Sequence, residues 1–339
     1  MAPVVSVGIP VYNAQRYLRE ALDSLIAQDY APIELIISDN ASTDDTPAIC
    51  REYVARDPRI RYERAEQNQG AIWNFNRVFT LARGDYFMWA AFDDLRESSY
   101  VRKCVEALEQ HRDAVLCCTD VRLIDEAGRV TEPDPRMRIA HPVGATRGAR
   151  VRALAGANFW VDFYGLMRRE TLATTRLPQP IWGFDVVLLL EMCLRGDVAV
   201  VPEALFAYRI FPEKSQGDLA VGLTGQASPG NVSVSWSNLA MEMAHSISLA
   251  PISRNEKLSL TARFLTRFCL LNHTVRRYLR RDVASSAREA LSGRRYRRAL
   301  ALLGIAAAIY PIQHEFGKAV FQRLRRGPHP TLPRRGREI

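Results

Sequence analysis

Short apolar runs alternate with amphipathic stretches from Val4 to Ile210. Val4 to Ile9 reads as a strand. Ala14 to Gln28 reads as a helix, because Tyr17, Leu18, Ala21, Leu22, Leu25 and Ile26 recur at the spacing that gathers side chains on one helical face. The scheme then repeats. Ile33 to Ser38 is an apolar run of the kind buried on both faces, and Ser42 and Thr43 are cap candidates for a helix reaching about Ala55. Arg59 to Glu63 is a third strand candidate, a helix follows from about Gly70 to Ala82, and Tyr86 to Phe92 is a fourth strand. Strands alternating with helices predict an α/β domain with a mostly parallel central sheet covered on both faces. Ligands bind such sheets beyond the carboxyl ends of the strands, so the residues that follow each strand are where chemistry is expected.

The pattern changes near Lys214. Gln216 to Ser235 is rich in Gly, Ser and other small residues without periodicity, which reads as a loop or linker. Helical patterns alone follow, at Trp236 to Leu249, Arg254 to Arg280, Val283 to Leu291 and from Tyr296, where Pro311 must break or kink the last one. The expected organisation is therefore a domain over 1–215, a linker over 216–235, a helical region over 236–325 and a disordered Pro- and Arg-rich tail over 326–339.

Charge sharpens that division. Residues 1–215 carry 26 Lys and Arg against 30 Asp and Glu, whereas residues 216–339 carry 20 against 7, so the net +9 resides in the C-terminal third. Such asymmetry points to an anionic partner, or simply to solvated basic helix faces. The six cysteines, Cys50, Cys104, Cys117, Cys118, Cys193 and Cys269, stand in apolar segments without metal-ligand spacing, which predicts free thiols in a reducing compartment. The Met-Ala-Pro start leads directly into a strand with no secretory pattern, so a cytoplasmic location is expected.

Three carboxylate positions follow strands or open helices. Asp39, in Ile-Ile-Ser-Asp-Asn-Ala-Ser-Thr-Asp-Asp, is placed to accept hydrogen bonds from a nucleotide's base or ribose, or to form a turn. Asp93 and Asp94, in Met-Trp-Ala-Ala-Phe-Asp-Asp-Leu, are adjacent carboxylates that repel each other. A hard divalent cation bridging diphosphate oxygens would neutralise that repulsion, while helix capping before Ser98 accounts for only one of the two. Asp185, in Trp-Gly-Phe-Asp, heads the apolar helix Val186 to Leu194 and suits either the helix dipole or a general base.

Taken in order, these motifs resemble the inverting glycosyltransferases of family 2, over roughly residues 4–215. The marks are Val-Gly-Ile-Pro-Val-Tyr-Asn at the first strand, Ser-Asp-Asn-Ala-Ser-Thr-Asp at the second, Asn68-Gln-Gly70 leading to Asn76, and Ala-Arg-Gly-Asp-Tyr before Asp93-Asp94. Thr-Asp-Val-Arg-Leu-Ile-Asp-Glu-Ala-Gly, Phe-Tyr-Gly-Leu-Met-Arg-Arg, the Asp185 helix and Val-Pro-Glu-Ala-Leu-Phe-Ala-Tyr-Arg complete the set. The resemblance implies a GT-A type nucleotide-binding fold with a C-terminal helical region. It also implies a nucleotide-sugar donor, a carbohydrate or lipid-linked acceptor, and Mg²⁺ or Mn²⁺ as cofactor. Pro10, Tyr12, Asn13, Asp39, Asn68, Gly70 and Asp93 would form the nucleotide site, Asp93 and Asp94 would hold the metal, and Asp185 would be the base. Two departures stand out: Ala91 occupies the first acidic place of the family's Asp-x-Asp-Asp pattern, and Phe211 stands where many relatives have a histidine after Tyr208-Arg209.

Two other readings remain open on the residues. A sugar-phosphate nucleotidyltransferase shares the sheet and the acidic ligands but usually carries a Gly-rich basic loop after the first strand, where this chain has Pro10-Val-Tyr-Asn. A non-catalytic protein binding nucleic acid or another anionic surface through the basic third lacks the exposed aromatics that single strands require, so no nucleic-acid partner is expected. The run Ala299 to Ile312 has 14 residues, short of the roughly 20 needed to cross a bilayer. Flanked by arginines at 294–298 and 323–326, it predicts either peripheral contact with the cytoplasmic membrane face or a helix packed on protein.

Overall fold

The computed structural model describes residues 2–133, 141–211 and 236–271, together with Met137, Ile139 and Leu279. Its first half follows the periodicity: β1 (Val5–Val11), α1 (Leu18–Ile26), β2 (Ile33–Asp39), α2 (Thr46–Arg56), β3 (Ile60–Arg64), α3 (Ala71–Leu81) and β4 (Tyr86–Trp89). The four strands are parallel neighbours in the order β3-β2-β1-β4, with Val11 beside Asp39 and Gly8 beside Trp89, so their carboxyl ends share one edge.

Two local expectations are corrected. Ser42 and Thr43 do not cap α2: the Ser42 hydroxyl accepts the Asn13 N–H at 2.9 Å, and the Thr43 N–H donates to Asn13 Oδ1 at 2.9 Å. These residues tie the β2 loop to the β1 loop, and α2 opens at Thr46 with Pro47 in its first turn. β4 ends at Trp89, three residues before Phe92, and Asp93-Asp94 lie in the turn that leads to β5 (Leu95–Arg96).

Beyond β5 the chain forms α4 (Tyr100–Gln110), β6 (Ala114–Ile124), β7 (Val130–Thr131), α5 (Arg147–Gly156), a 3-10 turn (Val161–Tyr164) and β8 (Leu166–Arg168). α6 (Arg169–Ala173), α7 (Phe184–Arg195) and β9 (Asp197–Arg209) follow. β8 inserts antiparallel between β4 and β6, and β9 then runs parallel to β6, giving nine strands in one sheet among the described residues. Because β8 reverses direction, the long strands β6 and β9 bring Tyr208 and Arg209 to the Asp93-Asp94 turn.

Apolar layers cover both faces. Leu18, Leu22, Ile49, Tyr53, Val101 and Leu108 of α1, α2 and α4 fill one, and α3, α5 and α7 cover the other. The second layer is completed by α8 (Trp236–Leu249) and α9 (Arg254–Phe264), followed by a π-helical turn at Leu265–Leu271. Trp236, Leu239, Met243 and Ile247 are at most 3% exposed, and each such side chain contributes about 1.5–3 kcal/mol on burial. Arg176 locks α8 to α7, pairing with Glu191 at 2.6 Å and Glu242 at 3.0 Å. The start of the basic region thus belongs to the same core as the sheet. The linker at 216–235, the helices predicted at 283–291 and from 296, the 299–312 run and the tail lie outside the described residues. Among the described residues no helix is long and apolar enough to cross a membrane.

Candidate active site

At the ends of β1 and β2, Asn13 turns the chain with φ 49°, a left-handed conformation that asparagine tolerates better than most residues. Pro10 is half-buried beside Ser38, and the Tyr12 ring is 42% exposed, free to offer a face to a base. Asp39 is fully buried. Its Oδ1 accepts the Ser42 N–H at 2.8 Å, and its Oδ2 accepts the Tyr62 hydroxyl at 2.8 Å and faces Arg64 Nε at 3.3 Å. Burial and this carboxylate push the Tyr62 hydroxyl well up, so it stays a donor. Of these groups only Arg64 is exposed, and the turn-forming reading of Asp39 is realised within the same carboxylate.

Two asparagines not singled out from the sequence hold this region. The buried Asn40 donates to Asn68 Oδ1 at 2.8 Å and the Gly70 carbonyl at 3.1 Å, and accepts the Gln69 N–H at 2.9 Å. The loop Asn68–Gly70 is thereby fixed to the end of β2, with Gly70 at φ 86° opening α3. Asn74 accepts the Ser38 hydroxyl at 2.6 Å and donates to the carbonyls of Ser38 and Val11, pinning α3 to both strand ends. Asn76 reaches elsewhere, donating to the Pro178 carbonyl at 3.0 Å.

The Asp93-Asp94 turn is organised by Arg209, which is 2% exposed. Its backbone N–H donates to Asp94 Oδ1 at 2.9 Å and its Nε to the Asp93 carbonyl at 2.8 Å. The guanidinium also donates to the Asp125 and Glu126 carbonyls, each at 3.1 Å, and to Glu20 Oε2 at 2.8 Å, lying 4.4 Å above the Tyr17 ring. The Phe211 ring lies 5.7 Å from that of Tyr17. Asp94 is 5% exposed, and its Oδ2 is buried with no hydrogen-bond partner among the described residues. Burial, reinforced by the Asp93 charge and opposed by Arg96 and Arg209, holds the Asp94 carboxyl well above the usual range. A buried carboxylate oxygen without a donor, beside a second acid, fits a hard divalent cation despite Ala91.

Asp185 sits in the first turn of α7. Its Oδ1 accepts the Val186 N–H at 2.9 Å, yet burial outweighs that contact and pushes the carboxyl up to about 6. Gly183 precedes it at φ 78°, and a Cβ there would lie 2.9 Å from Leu239 Cδ2, so α7 starts where only glycine fits both the backbone and the packing of α8.

Tyr164 and Tyr208 connect Asp185 to the acidic pair. Their rings are 6.4 Å apart, centroid to centroid. Burial pushes both hydroxyls well up, and the charges of Asp93, Asp94 and Asp185 add to the rise in each. The charges of all three acids therefore act on one aromatic pair, although Asp94 and Asp185 are far apart in sequence. Tyr164 and Tyr208 lie in motifs the sequence displays, but nothing in spacing assigns them a role.

Residues 6–172 match the family description "Glycosyl transferase family 2". An uncharacterised protein of Mycobacterium tuberculosis is 33% identical over 209 residues, covering 61% of this chain and 58% of the relative, so the chain spans somewhat more than half of such relatives. Among solved structures, residues 1–349 of S. aureus TarS in complex with UDP-GlcNAc align with TM-score 0.59 and 19% identity, over 80% of this chain and 74% of that one. The mannosyltransferase PcManGT from Pyrobaculum calidifontis, in complex with GDP-Man and Mn²⁺, aligns with TM-score 0.52 and 15% identity, over 93% and 89%. At these identities the two structures speak for the fold, which is of GT-A type.

Proposed function

Because residues 6–172 are a glycosyl transferase family 2 domain, we propose that the chain transfers a sugar from a nucleotide-sugar donor to an acceptor hydroxyl with inversion, in polysaccharide or glycoconjugate synthesis. One observation carries the reading: Asp94 has a buried Oδ2 without a hydrogen-bond partner among the described residues, and the charges of Asp93, Asp94 and Asp185 act on the same Tyr164–Tyr208 pair. The family match favours this over the nucleotidyltransferase alternative.

In this reading the donor's base stacks on Tyr12 near Pro10, Asn13 and Asp39, and its ribose lies by the Asn68–Gly70 loop. Asp93 and Asp94 would hold Mg²⁺ or Mn²⁺, which when bound neutralises diphosphate charge and stabilises the leaving group. The Arg209 backbone N–H keeps Asp94 aimed by occupying Oδ1 and leaving the buried Oδ2 without a donor. The acceptor oxygen attacks the anomeric carbon from the face opposite the diphosphate. The bond to the diphosphate oxygen breaks, and its electron pair leaves with the nucleoside diphosphate. The acceptor proton goes to Asp185, whose carboxyl, raised to about 6, is ionised at neutral pH and more basic than an exposed aspartate. Tyr164 and Tyr208 stay protonated, wall the site from water and offer hydroxyls to the sugar. The acceptor is a carbohydrate or a lipid-linked glycan, and basic residues beyond 290 are assigned contact with an anionic membrane face on sequence alone.

A thermal-shift screen of UDP-, GDP- and dTDP-sugars with and without Mn²⁺, followed by nucleoside diphosphate release with candidate acceptors, tests the reading. Release should be lost in Asp93→Asn and fall about 10²–10⁴-fold in Asp185→Asn. Undiminished release in both variants would refute it.

A further inference from the structure

Away from the acidic pair, Cys118 of β6, His141 and Asp162 of the 3-10 turn come together from three separate segments. One ligand atom from each lies within 4.8 Å of the other two. His141 Nδ1 is 2.8 Å from Asp162 Oδ1, and its Nε2 is 3.5 Å from Asp120 Oδ1. Cys118 is 2% exposed and Asp162 is 5% exposed. From these contacts we propose that Cys118, His141 and Asp162 form a second metal site, selective for Zn²⁺ or a similar borderline ion, with Asp120 holding the histidine from behind.

The chemistry of the donors separates this site from the first. Thiolate, imidazole and carboxylate together suit zinc, whereas Asp93 and Asp94 are all-oxygen donors suited to Mg²⁺ or Mn²⁺. A tetrahedral ion with bonds of about 2.0–2.3 Å sets its ligands about 3.3–3.8 Å apart, so the His141–Asp162 pair at 2.8 Å must open to admit it, within a cluster that spans no more than 4.8 Å. Asp120, two residues beyond Cys118 at an irregularity in β6, puts a carboxylate 3.5 Å from one ring nitrogen of His141 while the other meets Asp162. Metal-bound histidines almost always have such a carboxylate or carbonyl behind them, fixing tautomer and ring plane. Ile139, two residues before His141, bridges to Phe159 just before the 3-10 turn. Burial, then the charge of Asp162, pushes the Cys118 thiol well up, so it stays an inert thiol until an ion displaces its proton.

Bound here, the ion is structural. It joins β6, His141 and the turn that ends in Tyr164, and so sets one wall of the candidate active site without touching it. Each of the three segments supplies one ligand, which is why the cysteine spacing in the sequence shows no metal pattern.

The test uses the full chain, stripped with chelator and kept in excess Mg²⁺ so that the all-oxygen acids are filled, then titrated with Co²⁺. One equivalent should bind with a near-ultraviolet thiolate-to-cobalt charge-transfer band, and Zn²⁺ should bleach that band and raise the melting temperature. Cys118→Ser should abolish the band. Asp120→Asn, at a side chain 53% exposed, should keep the fold and the band but weaken Co²⁺ affinity about 10–100-fold. Cobalt bound without a thiolate band, a band that survives Cys118→Ser, or unchanged affinity in Asp120→Asn would each overturn the proposal. If Cys118→Ser does not fold, the Asp120→Asn affinity decides alone.

Discussion

Asp185→Asn should make the protein more stable and less active at once. The carboxyl is raised from 3.8 to about 6 by burial. Raising a carboxyl by one pH unit corresponds to about 1.4 kcal/mol, so the ionised group opposes folding by as much as about 3 kcal/mol at pH 7. The sign follows from proton uptake. The folded state binds the proton more tightly than the unfolded chain, so no penalty exists below about pH 4; it grows as pH rises through 4 to 6 and is complete above. Asparagine keeps an oxygen for the Val186 N–H but cannot ionise. Asp185 retains some solvent contact, so the expected gain at pH 7.5 is about 1–3 kcal/mol, shrinking to near zero at pH 4. Urea melts of both proteins across that range measure it, the difference between them cancelling every other titrating group. Turnover should meanwhile fall about 10²–10⁴-fold, and the wild-type rate should decline as pH drops through about 6. A difference in stability that stays flat with pH would refute the buried-carboxylate reasoning. Unchanged turnover would remove Asp185 from the role of base.

Asp93→Asn and Asp94→Asn should each remove metal-dependent donor binding, measured by thermal shift with Mn²⁺, while circular dichroism stays unchanged. Arg209→Ala should cost about 3–5 kcal/mol in urea unfolding, because it strips donors from the Asp93, Asp125 and Glu126 carbonyls. Arg209→Lys should recover only part of that, since one ammonium cannot span the same acceptors. Gly183→Ala should cost about 1–3 kcal/mol from its positive φ and the contact with Leu239. Its penalty and that of Leu239→Ala should combine less than additively in a double-mutant cycle.

Much of the first half was legible because its physics is local. A helix packed on a sheet must bury one face, so α1 and α3 announce themselves by spacing, and the fully buried β2 appears as an unbroken apolar run. The expected helix over roughly Trp236 to Leu249 is found as α8, which ends at Leu249. Legibility failed where a polar residue had a distant partner. Ser42 and Thr43 look like caps, but Asn13 takes them, and that pairing exists only once β1 and β2 lie side by side. β8 has three residues and no pattern, yet its reversal orders the rest of the sheet.

Amino-acid order by itself determined the alternation of strands and helices, and it displayed the acids at the strand ends. Both are properties of residues near one another in the chain. Only the tertiary structure decided which atoms meet: Arg209 at Asp94, Asn40 at Gly70, two tyrosines among three acids, and a thiol, an imidazole and a carboxylate drawn from three segments. Hydrogen bonds and charge interactions act over a few ångströms of space, whatever the separation along the chain, so periodicity carries no record of them.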